Sequence, residues 1–198
     1  MRATTPAKLL FRRIFQPDAP SHGKKDPTLK RKKHHSIAHI LVSACLLGES
    51  TRYDRGHMRC DHPKLEQWLQ ENRLISFCPE VEGGLPTPRP PAEIISGDGL
   101  QVLDAEAKVL DVEGREVTEQ YRCGAQKALQ VAQENNMRIA ILKARSPSCG
   151  SKFIYDGTFS ITLKPGKGVT AALLEREGIR VFNEEEIEQA AKFLQAIE

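Results

Sequence analysis

Arg138-Ile-Ala-Ile-Leu-Lys-Ala-Arg-Ser-Pro-Ser-Cys-Gly150 is an apolar run followed directly by a loop that carries a thiol, two hydroxyls and a proline. This pattern is typical of a buried strand that presents side chains at its end. Cys45 and Cys78 likewise follow the apolar runs 40–44 and 74–77. Ligands of open α/β sheets gather outside the carboxyl ends of the strands, so the sequence predicts that Cys45, Cys78 and Cys149 lie at such ends.

Hydrophobic runs alternate with amphipathic segments along the rest of the chain. We predict strands at residues 36–44, 74–77, 138–144 and 180–183, and helices beginning near Asp61, at Thr118, at residue 169 and at residue 184. Residues 101–104 and 108–112 are predicted to form a hairpin, and the proline-rich segment 78–91 a rigid wall without helix. The alternation predicts an α/β fold with a mostly parallel, open sheet and flanking helices.

The chain has 198 residues and divides by charge into two parts. Residues 1–35 contain ten Lys or Arg against two Asp, so we predict a disordered basic tail on a single α/β domain formed by residues 36–198. The run Lys30–His35 allows contact with nucleic acid, although a solvated tail is the simpler interpretation. An organelle transit peptide and an upstream start site are further interpretations of the tail.

Composition also bears on the compartment in which the protein works. No segment is long and apolar enough for a membrane span, none has the pattern of a secretory signal, and five cysteines is an odd number. We therefore expect a cytoplasmic protein without membrane contact and with reduced thiols rather than a disulfide framework. The composition leaves the oligomeric state open.

The cysteine spacing restricts the metal chemistry. Cys45, Cys78 and Cys149 are too far apart in sequence for a zinc finger, and the chain has neither a Cys-x-x-Cys pair nor a ferredoxin cluster. Three thiolates from distant loops can still hold an iron–sulfur cluster with one iron left open, while zinc binding or burial in a packed core remain alternatives. Cys60 and Cys123 are predicted to take no part in chemistry; Cys123 lies in a predicted helix, whereas Cys60 lies in a loop from which it could approach the site.

Three polar residues near these cysteines are candidates for proton transfer. Glu80 is either a solvated loop carboxylate or, beside a metal, a general acid or base. Ser146 and Ser148 are either turn hydroxyls or active-site groups. The chain lacks the Gly-x-Ser-x-Gly elbow of esterases.

Several long motifs together resemble the domain-of-unknown-function family 523, whose characterised members are similar to 2-thiouracil desulfidase. They are Ile40-Leu-Val-Ser-Ala-Cys-Leu-Leu-Gly48, Arg52-Tyr-Asp54, Cys78-Pro-Glu-Val-Glu-Gly-Gly-Leu-Pro-Thr-Pro-Arg-Pro-Pro-Ala-Glu93, Arg145-Ser-Pro-Ser-Cys-Gly150, Tyr155-Asp-Gly-Thr-Phe159 and Gly168-Val-Thr-Ala-Ala-Leu-Leu174. The resemblance runs from about residue 37 to 186. It departs from the family at Arg55, where a Gly is expected.

The resemblance implies a site and a reaction. Cys45, Cys78 and Cys149 would hold a 4Fe-4S cluster whose fourth iron binds the sulfur of a small thiolated pyrimidine. Glu80 would be catalytic, together with Ser146 rather than Ser148, in hydrolytic cleavage of the carbon–sulfur bond. The alternatives are a non-enzymatic cluster module for redox sensing or nucleic-acid association, and sulfur transfer in RNA modification, for which we find no nucleotide site.

Overall fold

The computed structural model describes residues 38–198. Its centre is a parallel four-stranded sheet with the order β2-β1-β5-β8, formed by β1 (Ile40–Ser43), β2 (Leu74–Phe77), β5 (Ile139–Leu142) and β8 (Arg180–Asn183). The prediction of a mostly parallel sheet is confirmed. Because the strand order reverses direction between β1 and β5, the crevice beyond the ends of these two strands is the expected place for a ligand.

Helices cover both faces of this sheet. They are α1 (Pro63–Gln70), α2 (Pro79–Glu82), α3 (Gly99–Leu103), α4 (Thr118–Glu134), α5 (Val169–Arg176) and α6 (Ile187–Ile197). Two small antiparallel sheets complete the fold: β3 (Ala92–Ile95) with β4 (Lys108–Asp111), and β6 (Phe153–Tyr155) with β7 (Leu163–Pro165). No helix within residues 38–198 is long and apolar enough to cross a membrane.

The core follows from the alternation of side chains along the strands. Ile40 and Val42 pack on one face of the sheet with residues of α1 and α6, whereas Leu41 packs on the other face with residues of α4 and α5. All four residues of β1 and all four of β5 are buried. This explains why β5 is apolar throughout and β1 is apolar up to its last residue, Ser43, as expected for parallel strands covered on both sides.

Two sequence predictions of secondary structure, for residues 78–91 and for residues 101–104, are wrong. The segment 101–104 is not a strand, because residues 99–103 form α3, and β4 pairs with β3 instead. Asp98 and Gln101 form a reciprocal capping box at the start of α3, which stabilises the helix locally. The segment 78–91 does contain a helix, since Pro79 occupies the first turn of α2, where a missing N–H costs nothing.

The predicted helix caps also differ from the observed ones. His62, not Asp61, caps α1, and its Nδ1 accepts the N–H of Lys64 at 3.2 Å. Thr118 lies inside the first turn of α4, and its hydroxyl accepts the N–H of Val109 at 3.1 Å. The predicted basic tail and its possible nucleic-acid contact lie outside the described residues, and the domain boundary at residue 36 stays a prediction.

Candidate functional site

A cavity of about 570 Å³ opens beyond the carboxyl ends of β1, β2 and β5. Its wall includes five of the six candidate residues from the sequence: Cys45, Cys78, Glu80, Ser146 and Cys149. Cys45 lies in the short 3-10 turn after β1, Cys78 directly follows β2, and Cys149 lies in the loop after β5. The structure therefore brings the predicted site residues to one place.

The loop that carries Cys149 is fixed by its own hydrogen bonds and by α5. The Ser146 hydroxyl oxygen accepts the N–H groups of Ser148 and Cys149, both at 3.1 Å. The carbonyls of Pro147 and Ser148 accept N–H groups from the start of α5 at 2.9 Å. Gly168 allows this close approach, because a Cβ there would lie 2.4 Å from the Ser148 carbonyl carbon.

The structure distinguishes the two candidate serines. Ser146 lines the cavity, and its hydroxyl lies 3.3 Å from Oε1 of Glu80. Because its oxygen already accepts two N–H groups, its proton is directed to the carboxylate. Ser148 is 0% exposed, does not line the cavity, and shares a 2.8 Å hydrogen bond with Thr170.

Glu80 is oriented by a buried ion pair that sequence analysis missed. The Arg89 guanidinium donates from Nε and Nη2 to Oε2 of Glu80, at 2.9 and 2.6 Å, which leaves Oε1 directed at Ser146. Arg89 also donates to the carbonyls of Pro86 and Thr51. The Arg89 side chain thus holds the proline-rich segment 78–91 against the cavity wall.

The position of Glu80 also depends on how α2 packs. Gly124 of α4 lies directly beneath it, and a Cβ at this position would lie 1.9 Å from the carbonyl oxygen of Pro79. Beside them, the phenol of Tyr121 is buried, and this burial, followed by the charge of Glu80, raises its pKa. The phenol therefore stays protonated next to the carboxylate.

We expect Arg89→Met to lower the free energy of unfolding by about 3 kcal/mol, because the Glu80 carboxylate, only 15% exposed, would lose its counter-ion. Chemical denaturation of the two proteins, wild type and variant, measures this change. Arg59→Met is the matched control, since Arg59 pairs with Asp61 and Glu66 at the surface and should contribute less than about 1 kcal/mol. Equal losses in the two variants would contradict a buried, structural ion pair.

The three cavity cysteines are poor nucleophiles in the protein alone. Burial, followed by the proximity of Cys78, raises the pKa of Cys45 to about 11. Burial also raises the pKa of Cys78, and raises that of Cys149 further still. Reactive cysteines have lowered pKa values, so this arrangement differs from a nucleophilic thiol site. A metal, in contrast, deprotonates a coordinating thiol outright.

Two further polar side chains on the cavity wall escaped the sequence analysis. Ser43, at the end of β1, accepts the N–H of Lys143 at 2.9 Å, and its hydroxyl proton points to Sγ of Cys149 at 3.5 Å. The hydroxyl oxygen of Thr51 is buried and has no hydrogen-bond partner among residues 38–198. Ser43 and Cys149 are 106 residues apart, so no local pattern signals their contact.

The other two cysteines and Arg55, which the sequence analysis also considered, lie outside the cavity. Cys123 is exposed on α4, and Cys60 is partly buried against the α1–α6 side of the core; neither lines the cavity. Arg55 does not line the cavity either; it adopts φ 64°, the left-handed conformation that a Gly favours. Within residues 38–198, no three His, Cys, Asp or Glu side chains are close enough to hold one metal ion.

Comparison with known proteins gives a consistent result. The family model for 2-thiouracil desulfurase matches residues 40–186. An uncharacterized protein of Bacillus subtilis (strain 168), YbbK, is 49% identical over 148 residues, which are 75% of this chain and 97% of YbbK.

A similar solved structure is that of the 4Fe-4S-dependent thiouracil desulfidase TudS, from DUF523. It is 42% identical with a TM-score of 0.74, over 80% of this chain and 99% of TudS. The resemblance that the sequence motifs carry is thereby confirmed. Because the family match spans most of the chain and the relatives are matched over nearly their full length, the protein belongs to the 2-thiouracil desulfurase family.

Proposed function

We propose that the protein is an iron–sulfur enzyme that removes sulfur from small thiolated pyrimidines such as 2-thiouracil. The observation that carries this proposal is one cavity whose wall contains three thiols, two buried and one partly buried, together with the Glu80–Ser146 pair. Family membership and the similarity to TudS support the same activity. The reaction consumes water, breaks the carbon–sulfur bond, forms a carbon–oxygen bond and releases hydrogen sulfide.

Cys45, Cys78 and Cys149 would hold a 4Fe-4S cluster, and their common position on the wall of one cavity supports this. Thiolates are the ligands of such clusters, and each would bind a different iron, so the sulfurs need to surround a volume rather than a point. The Thr51 hydroxyl, buried on the cavity wall and without a hydrogen-bond partner among residues 38–198, is also suited to contact a bound group.

When bound, a cluster with three protein ligands supplies an open iron that acts as a Lewis acid toward the thiocarbonyl sulfur. The side chains of this protein supply the rest of the chemistry. Oε1 of Glu80 accepts a proton from the water that attacks the ring carbon, and Arg89 keeps that oxygen in place by holding Oε2. Ser146, hydrogen-bonded to the same Oε1, orients the water or the ring.

The direct test is turnover by protein purified without oxygen and loaded with iron and sulfide. We expect 2-thiouracil to be converted to uracil with one sulfide released per uracil, and the cluster-free protein, as matched control, to give neither product. A loaded protein that releases no sulfide would contradict the proposal and favour the non-enzymatic cluster module. That result would call for measuring cluster-dependent binding to RNA and its salt dependence.

A further inference from the structure

The loop between β6 and β7, residues 156–162, has an unusual backbone where it borders the cavity. Gly157, Phe159 and Ile161 have φ values of 95°, 58° and 64°. A positive φ is readily adopted by Gly, but for the β-branched Ile161 it is a genuine outlier. Such strain persists only when neighbouring groups hold the backbone in place, and it is concentrated at functional sites.

The buried carboxylate of Glu93 holds this loop in place through hydrogen bonds. Oε2 of Glu93 accepts the N–H groups of Gly157 and Phe159, at 2.9 and 3.1 Å. The N–H of Asp156 donates to the carbonyl of Thr162 at 3.0 Å and closes the loop. The loop is therefore preformed rather than shaped by what binds to it.

The side chains of the loop separate by chemistry. Those of Thr158, Ser160 and Thr162 hydrogen-bond to one another in a row, at 2.6 and 2.9 Å. Phe159 and Ile161, which alternate with them, line the cavity. The three hydroxyls thus have hydrogen-bond partners within the loop, and the two apolar side chains are left at the opening of the cavity. The Ile161 side chain is 83% exposed there.

Phe159 and Ile161 belong to a larger apolar border of the cavity. We define the apolar rim as Tyr53, Met58, Val112, Phe159 and Ile161, all of which line the cavity. Four of the five are exposed to solvent, and Phe159 is partly exposed. Cys149, in contrast, is 5% exposed. The cavity thus has a floor of thiols and an outer rim of hydrocarbon.

We propose that the apolar rim is a specificity site for an alkyl group on the edge of the substrate ring opposite the sulfur. This inference rests on the proposed function, because a sulfur directed at the thiols turns the opposite ring edge toward the rim. In 2-thiouracil the atom opposite C2 is C5. The preferred substrates are therefore 5-alkyl-2-thiouracils, and Ile161 is a specificity-determining residue.

The test compares kcat/KM for 5-propyl-2-thiouracil and for 2-thiouracil on the cluster-loaded protein. Each buried methylene favours binding about threefold to fourfold, so partial burial of a propyl group predicts a ratio of about ten. Ile161→Asn should lower this ratio about threefold, since Asn tolerates the left-handed backbone but removes one of the five apolar side chains of the rim. Leu69→Asn is the matched control, because Leu69 is an exposed hydrophobic residue of α1 outside the cavity, and the ratio should stay at the wild-type value.

A binding experiment separates this inference from the proposed function. Calorimetry of the loaded protein with uracil and 5-propyluracil is expected to show about tenfold tighter binding of the propyl compound. Turnover of 2-thiouracil without any propyl preference in rate or binding would overturn the specificity site and leave the desulfidase intact. Ile161-dependent propyl preference in binding without turnover of either thiouracil would support the rim and reject the desulfidase. No turnover and no binding preference would reject both.

Discussion

Cys149→Ala protein purified without oxygen is expected to contain less than about a tenth of the iron and acid-labile sulfide of the wild type. A change in the groups that merely orient a metal ligand already costs about tenfold to a hundredfold in metal affinity, and this variant removes a ligand itself. Cys149 is also the most deeply buried of the three cavity thiols, and Ser43 directs a hydroxyl proton at its sulfur. We therefore expect no other side chain on the cavity wall to replace Cys149 as a ligand.

The matched control is Cys123→Ala, which also removes one thiol. Cys123 is exposed on α4 and does not line the cavity, so this variant should retain wild-type iron and sulfide. Wild-type iron in Cys149→Ala would remove that cysteine from the ligand set. Wild-type protein that carries zinc without labile sulfide would instead support the zinc alternative and contradict the cluster.

The position of the three cysteines at one edge of the sheet could be predicted, because buried parallel strands have a recognisable sequence pattern. The strands β1 and β5 are buried on both faces, so β5 is apolar throughout and β1 is apolar up to its last residue, Ser43, and the segment with a cysteine that follows each marks its carboxyl end. Once the fold is recognised as parallel, those ends must lie on one edge of the sheet. The proximity of Cys45 and Cys149 then follows from topology alone.

The errors at α2 and α3 have local causes. Residues 101–104 are Gln-Val-Leu-Asp, two apolar residues between polar ones, and so short an apolar run does not distinguish strand from helix. The capping box of Asp98 and Gln101 is what favours the helix. At α2, a high proline content suggested the absence of helix. Proline is nevertheless favoured in the first turn, and the acidic residues Glu80 and Glu82 suit a helix N-terminus.

The partners of the candidate site residues could not be predicted in this way. Arg89 reaches Glu80 only because the chain between them folds back, and Ser43 reaches Cys149 only because β1 and β5 are neighbours in the sheet. Such contacts depend on the tertiary structure and leave no periodic signal. The sequence therefore indicates the candidate site residues, whereas the groups that orient them depend on the packing.

Glu80→Gln is expected to lower kcat for 2-thiouracil by about a hundredfold to ten-thousandfold, the usual contribution of a general acid or base. Gln has the same shape and keeps an oxygen for the Arg89 guanidinium, so the buried pair loses charge but not its hydrogen bonds. Iron and labile sulfide should remain at the wild-type level, because the amide replaces no thiol ligand. Steady-state sulfide release, normalised to iron content, measures the effect.

Glu82→Gln is the matched control for this variant. Glu82 lies on the same four-residue helix but is exposed and does not line the cavity, so its kcat should equal that of the wild type. Undiminished turnover in Glu80→Gln would remove Glu80 from proton transfer. Loss of iron in the same variant would instead show that the carboxylate supports the cluster site. Only retained iron with lost turnover agrees with a base whose Oε1 is held ready by Arg89 and Ser146.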